Sequence, residues 1–339
     1  VQEKQQMTSG MSRRAAVHAI AGLATIGLAA PHIARAAVRT VRCGHNQTMQ
    51  SHYGRGTLAF AEAVAADPVL RSVIVIEADG NAQLGDEFHM LTACANGTID
   101  TMLCSGSIAG NLVPDIGMLN APFLFPDAEH ARAVLDGAMG QEIAATARTK
   151  GIAVLAWGEN GLRHITANQP IRTPLDLKGL KLRVPQSEIM LQGMRALGAD
   201  ANPLSFDLLR EALRTGLFQA QENPIVTIES AKIYEVHKYL NLTGHIYDAA
   251  CFVASSDLME DLSDAQRTAL VACAKQGALV TRQVASEAQR TGIARLQSAG
   301  MTVVTDVDAQ AFRKAALPYL EGLTAKFDAD RVKRLIAAT

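Results

Sequence analysis

From residue 38 onward, short β-branched or alternating apolar runs are separated by stretches of helical period, and this alternation constrains the fold more than any other feature of the chain. Val38 to Cys43 alternates as a first strand and stops at Gly44-His45-Asn46. Apolar Leu58, Ala59, Ala61 and Val64 lie at one-face spacing and predict a helix over about 51–66. Ser72-Val73-Ile74-Val75-Ile76-Glu77 is β-branched through its centre and reads as a buried second strand. A helix follows over Asp86 to Ala95, closed by Asn96-Gly97, and Thr101-Met102-Leu103-Cys104 is a third strand. Strand and helix alternating in this order close through right-handed crossovers, which predicts a mostly parallel, doubly wound α/β sheet.

The same pattern starts again further on. A helix over about 128–150 passes through Gly151 into a strand from Ile152 to Trp157, with Arg163 just beyond it. Strands at His164 to Ala167, Lys181 to Val184 and near Leu217 to Ala220 then interleave with helices over about 187–197 and 206–215. A strand at Ala250 to Ala254 and a helical remainder from Ala265 complete the chain. Between the two series, Pro114, Pro122 and Pro126 punctuate an exposed-looking apolar segment, Met118 to Phe125, that suits a packed loop or a cleft wall. A chain that builds one α/β domain, then another, and then returns must cross between them at least twice. The expectation is a domain I of residues 37–160 plus about 249–288 and a domain II of 161–248 plus about 289–339, hinged around a cleft. Ligands of open α/β sheets sit beyond the carboxyl ends of strands, so both domains would turn those ends toward the cleft.

A chain of 339 residues has the length for such a pair of domains. Its 32 Lys and Arg nearly balance 33 Asp and Glu, so no global field draws in nucleic acid or an acidic membrane surface, and any anion must be held locally. Residues 1–36 read as an export signal: Arg13-Arg14 is a positive start, Ala15 to Ala30 is apolar apart from His18, and Ala34-Arg35-Ala36 offers a small-x-small cleavage site. The Ser12-Arg13-Arg14 run is compatible with a twin-arginine signal, although the Ala-Ala-Val that follows fits one poorly and general secretion is the alternative. Cys43, Cys94, Cys104, Cys251 and Cys273 are too irregularly spaced for a disulfide framework or a zinc site. Burial as small apolar residues suits most of them, with Cys94 and Cys104 the pair placed to bridge in an oxidising compartment.

Three polar residues mark the candidate site. Arg183 lies in Lys181-Leu182-Arg183-Val184, which Pro185 ends. With a period of two, Leu182 and Val184 face one side, while Lys181 and Arg183 face the other at the carboxyl end of the strand. The planar guanidinium offers two parallel hydrogen bonds to a carboxylate, fixing orientation as well as charge. Arg163, in Glu159-Asn160-Gly161-Leu162-Arg163-His164, adds a second cation. Asn223, in Gln221-Glu222-Asn223-Pro224, is held extended by the proline and can donate to the anion or fix its partners.

The stretches Gly-Leu-Arg at 161–163, Leu-Lys-Gly-Leu-Lys-Leu-Arg-Val-Pro at 177–185, Ala-Leu-Arg-Thr-Gly at 212–216 and Gln-Ala-Gln-Glu-Asn-Pro at 219–224, followed by Tyr234-Glu235-Val236-His237-Lys238-Tyr239, resemble the DctP-type solute-binding proteins of TRAP transporters. The likeness runs from Val38 to at least the 270s. It implies a periplasmic-binding-protein-like fold, periplasmic residence, a small carboxylate ligand and delivery to the membrane subunits of a TRAP transporter, with no cofactor. It also implies that Arg183 binds the ligand carboxylate, that Asn223 contributes beside it, and that Arg163 is a second cation. By the same resemblance Asn46 and Phe206 take cleft roles and Glu222 orients the arginines. The chain departs from the family in Phe218-Gln219-Ala220, where a glycine often precedes Gln-Glu-Asn-Pro, and this bears on pocket shape.

Other function classes carry less. HExxH, GxSxG, a Walker loop and a dinucleotide fingerprint are all absent, and Ser105-Gly106-Ser107 with scattered histidines has no spacing that supports a triad. An exported ligand sensor feeding a receptor would present the same binding site. For the ligand itself, two cations favour a monocarboxylate held from both sides or a dicarboxylate. The polar loop His45 to His52 suits hydroxyl groups, as in a sugar acid or hydroxy acid, and 4% aromatics disfavours aromatic acids.

Overall fold

The structure, a computed structural model, describes residues 38–337; the expected export segment lies outside them. Nine strands form one sheet: β1 (Arg39–Gly44), β2 (Ile74–Asp79), β3 (Thr101–Ser105), β4 (Ile152–Ala167), β5 (Lys181–Val184), β6 (Asp200–Pro203), β7 (Ala220–Pro224), β8 (Tyr239–Ser255) and β9 (Thr302–Val304). Their order is β2-β1-β3-β8-β4-β7-β5-β6, with β9 pairing to β8. The flanks are parallel, β1 to both β2 and β3, and β5 to both β6 and β7. The centre is antiparallel, because β8 runs against both β3 and β4, and β4 against β7. The expectation of a mostly parallel sheet therefore holds for each flank and fails in the middle. The chain crosses between halves on β4 and comes back on β8, and a return path beside an outward path must be antiparallel.

Those two long strands also replace shorter ones expected from the sequence. The runs 152–157 and 164–167 belong to one 16-residue strand, and 250–254 is the end of a 17-residue one. Gly161, between the two expected runs, is a bulge: register shifts occur between Glu159 and Gly161, and Gly161 adopts a φ of 124° that only glycine takes easily. The helix expected over 128–150 is two helices, Ala128–Asp136 and Ala138–Arg148, joined at Gly137. The apolar segment from Met118 to Phe125 is buried rather than exposed.

Helices start where capping chemistry places them. Ser51 accepts from Gly54 N at the start of helix His52–Ala66, and Asp86 from His89 N at the start of Glu87–Ala95. Ser263 and Gln266 form a reciprocal capping box on the 24-residue helix Asp264–Glu287. That helix lies close against His52–Ala66, where Gly277 meets the backbone of Gly56 and a Cβ would come within 2.6 Å of its carbonyl oxygen. One apolar cluster joins Val41, Phe60, Leu103, Phe252 and Leu270, and another joins Met90, Met102, Cys104, Ile143 and Cys251. Further clusters centre on Leu182, Val184 and Met190, and on Leu209, Ile225 and Leu296. Leu320, Leu323, Val332 and Leu335 near the C-terminus bury into the cluster holding Ile143, and Arg331 pairs with Asp115 at 2.5 Å.

All five cysteines are free and buried. The pairing considered for Cys94 and Cys104 is not formed; Cys104 instead faces Cys251 across the β3/β8 ladder. Burial pushes the Cys43 thiol up to about 12 and also raises Cys104 and Cys251 well above the ordinary thiol value, which leaves little thiolate to react.

Candidate functional site

A narrow cavity of about 30 Å³ collects side chains from both halves of the sheet. The loop after β1 contributes Asn46 and Gln47, helix His52–Ala66 contributes Tyr53, and helix Glu87–Ala95 contributes Glu87. Ser105 comes from the end of β3 and Ser107 from the short helix Gly106–Ala109 that follows it, Asn160 and Arg163 from β4, and Arg183 and Asn223 from β5 and β7, with Phe206 as a half-buried apolar wall. Of the six residues expected from sequence, Arg183, Asn223, Arg163, Asn46 and Phe206 line this cavity, and Glu222 stands behind it.

Arg183 is 2% exposed, and the alternation of β5 puts Leu182 and Val184 into the apolar core on the opposite side. Its Nε and Nη2 donate to the Leu204 carbonyl oxygen at 2.8 and 2.5 Å, and among the described residues Nη1 has no partner and no carboxylate forms an ion pair with it. Burial pushes its pKa down to about 10, against the attraction of Glu222 and with the repulsion of Arg163. A buried guanidinium left without a counter-ion is costly, and a ligand carboxylate relieves that cost.

Arg163 sits inside β4, not beyond a strand end, and its donors are already committed. Nε and Nη2 bind the Glu222 carboxylate, the second at 2.9 Å, and Nη1 donates to Asp248 Oδ2 at 2.8 Å. Nη2 also reaches the Glu222 carbonyl oxygen and Asn223 Oδ1. Burial opposes the charge, but Glu222 and Asp248 outweigh it and hold the guanidinium above its ordinary pKa, while Glu222 is held below its own. Asn223 donates through Nδ2 to Gln221 Oε1 at 2.6 Å. Within this network Arg163, Glu222 and Asn223 support one another, and Arg183 is the unpaired cation.

Several residues in the site carried no signal in the sequence. Glu87 sits in the first turn of its helix and reads there as helix-start chemistry. Its carboxylate accepts from Asn46 Nδ2 at 2.9 Å and from Ser105 N at 2.5 Å, and burial raises its pKa to about 7. Asp248 accepts from Arg163, from Asn160 Nδ2 at 2.7 Å and from Asn120 Nδ2 at 2.8 Å. It lies in the middle of β8, where nothing in its neighbours marks it. On the side of the cavity away from Arg183's strand, Asn46 Oδ1, Gln47 Oε1 and the Tyr53 hydroxyl are buried without partners. They offer acceptors and one hydroxyl to a ligand that carries donors. No cluster of side chains able to hold a metal occurs among the described residues, and no described helix is long and apolar enough to cross a membrane.

The model of bacterial extracellular solute-binding proteins, family 7 (DctP) matches residues 43–326. A solute-binding protein of Verminephrobacter eiseniae is 37% identical over 84% of this chain and 84% of its own length. The 2,3-diketo-L-gulonate-binding periplasmic protein YiaO of Escherichia coli is 36% identical over 69% of this chain and 72% of its own. Among solved structures, a TRAP periplasmic solute-binding protein from Polaromonas bound to D-erythronate superposes with a TM-score of 0.85 at 35% identity, covering 88% of this chain and 98% of that one. With the two-domain α/β sheet and the arginine-centred cavity, these matches establish that the chain belongs to the DctP family of TRAP solute-binding proteins.

Proposed function

We propose that the protein resides in the periplasm, closes on a small hydroxylated organic acid and delivers it to the membrane subunits of a TRAP transporter. Arg183 takes the carboxylate and Asn223 sits beside it. Arg163 and Glu222 brace the strand ends that carry them, Asn46 with Glu87 meets the hydroxyl end, and Phe206 walls the side. The observation that carries this reading is the buried Arg183 guanidinium with an unpartnered Nη1 and no counter-ion among the described residues. The unpartnered acceptors at Asn46 and Gln47 favour hydroxyl donors, as do the sugar-derived acids bound by YiaO and by the Polaromonas protein.

Domain I is residues 37–160 plus about 249–288 and domain II is 161–248 plus about 289–339, with residues 1–36 as the cleaved export signal. The separate apolar clusters on either side of the β4 and β8 crossing support that division, and the C-terminal helices reach back to clasp domain I. Closure follows from contacts that the ligand makes to both halves only when they are together. Micromolar to nanomolar affinity corresponds to roughly 8 to 12 kcal/mol. A thermal-shift screen of the protein from residue 37 against short sugar acids and hydroxy acids tests the reading, since a bound acid raises stability by mass action. Failure of every acid in the set, with neutral sugars raising the midpoint instead, would sink the carboxylate assignment.

A further inference from the structure

A second cavity, much larger at about 820 Å³, lies where β4 crosses between the halves. Its walls are the β4 stretch 159–162, Pro224 at the end of β7 with Ile225 and Val226 just after it, the end of helix Asp264–Glu287 and the π-helical turn Ala288–Gly292 that follows it. The volume falls in the range of small-molecule sites, about 300–1,000 Å³. Leu162, Ile225, Val226 and Leu279 supply an apolar surface.

The charged lining is unbalanced. Four arginines, Arg55, Arg132, Arg282 and Arg290, face two glutamates, Glu159 and Glu287. Arg132 is taken by Glu159 at 2.5 Å and by Ser286 Oγ, and Arg290 by Glu287. Arg282 binds Asp136 through both terminal nitrogens at 2.7 Å, which leaves its Nε buried without a partner. Arg55 has no polar side-chain partner among the described residues. One unpaired guanidinium and one buried unsatisfied N–H beside apolar walls favour an anion that carries an apolar body.

The place of the cavity bears on its use. Asn160 lines both this cavity and the first one, and its Nδ2 donates to Asp248, which holds Arg163. Walls from both halves and from the crossing strand mean that a molecule seated here touches the parts that move when the cleft opens. We propose that this hinge cavity is a second ligand site, separate from the Arg183 cavity, which takes a small amphipathic anion: a carboxylate or sulfonate on an apolar body.

The probe is anilinonaphthalene sulfonate, an anion on apolar rings, titrated into the folded protein at low salt with fluorescence as readout. Saturable binding is expected, weakened about tenfold by Arg55→Glu and by Leu279→Glu, both at exposed positions where folding tolerates the change. Arg71→Glu makes the same charge change at an exposed position outside the cavity and should stay within twofold of wild type, as should Arg183→Ala. Binding unchanged by both Arg55→Glu and Leu279→Glu, equal weakening by Arg71→Glu, loss on Arg183→Ala, or no saturable signal would each overturn the proposal.

Discussion

Replacing Arg183 by Met keeps most of the side-chain length and removes the charge, and the two consequences have different sizes. In the ligand-free protein, burial lowers the Arg183 pKa from its ordinary value to about 10, a penalty of about 3 kcal/mol for carrying the charge there. The hydrogen bonds to Leu204 share one carbonyl oxygen and offset about 1.5–3 kcal/mol of it. These nearly cancel, so the ligand-free variant should unfold within about 2 kcal/mol of wild type by urea titration. Binding behaves otherwise, because the bound carboxylate would lose its bidentate partner inside a closed cleft at about 3–5 kcal/mol. Calorimetry with an acid identified by thermal shift should therefore show affinity down by about two to four orders of magnitude. A dissociation constant within twofold of wild type would refute the counter-ion argument. A loss of more than about 4 kcal/mol in the ligand-free protein would make Arg183 a structural brace.

The opposite pattern is expected of Glu222→Ala, which takes away one of the two carboxylates on the buried Arg163 and leaves its Nε without a partner while Asp248 still holds Nη1, and should cost about 2–3 kcal/mol of stability, read as a fall in thermal midpoint. Glu87 has a folded-state pKa near 7 against an ordinary 4.5, so between these values the folded protein holds more protons than the unfolded one and Glu87's contribution to stability falls as pH rises. Glu87→Gln removes this term, and denaturation series at pH 5 and pH 8 should show the variant gaining on wild type at the higher pH; a constant difference would contradict it. His45 and His164 are pushed down to about 4 and His52 to about 3 by burial, so they remain neutral when folded while the unfolded chain protonates near 6.5. Their contribution is present above that value and is lost as pH falls toward 4, which acid unfolding followed by circular dichroism should register. Gly277→Ala places a Cβ 2.6 Å from the Gly56 carbonyl oxygen, and pushing the two helices apart should lower stability by about 1–3 kcal/mol; an unchanged midpoint would show that the contact relaxes freely.

The sequence by itself determined the flanks of the sheet and most helix starts, because period, capping residues and turn residues are local; of the five expected side chains that line the cavity, Asn46 and Phe206 came from the family resemblance alone. The run Lys181 to Val184 stopped by Pro185 announces which way Arg183 points through alternation alone. The same local reading could not reveal that Arg163 is neutralised, since its partners Glu222 and Asp248 are 59 and 85 positions away and meet it only across the β4/β7 and β4/β8 ladders. Nor could it separate Glu87 from any acid in a helix's first turn. Bulges hide continuity in the same way: the apolar pattern lapses between Trp157 and His164, yet the bulge at Gly161 lets one strand run through from Ile152 to Ala167. Which arginine carries a free charge is a property of burial and of counter-ions distant in sequence, and only the tertiary structure decides it.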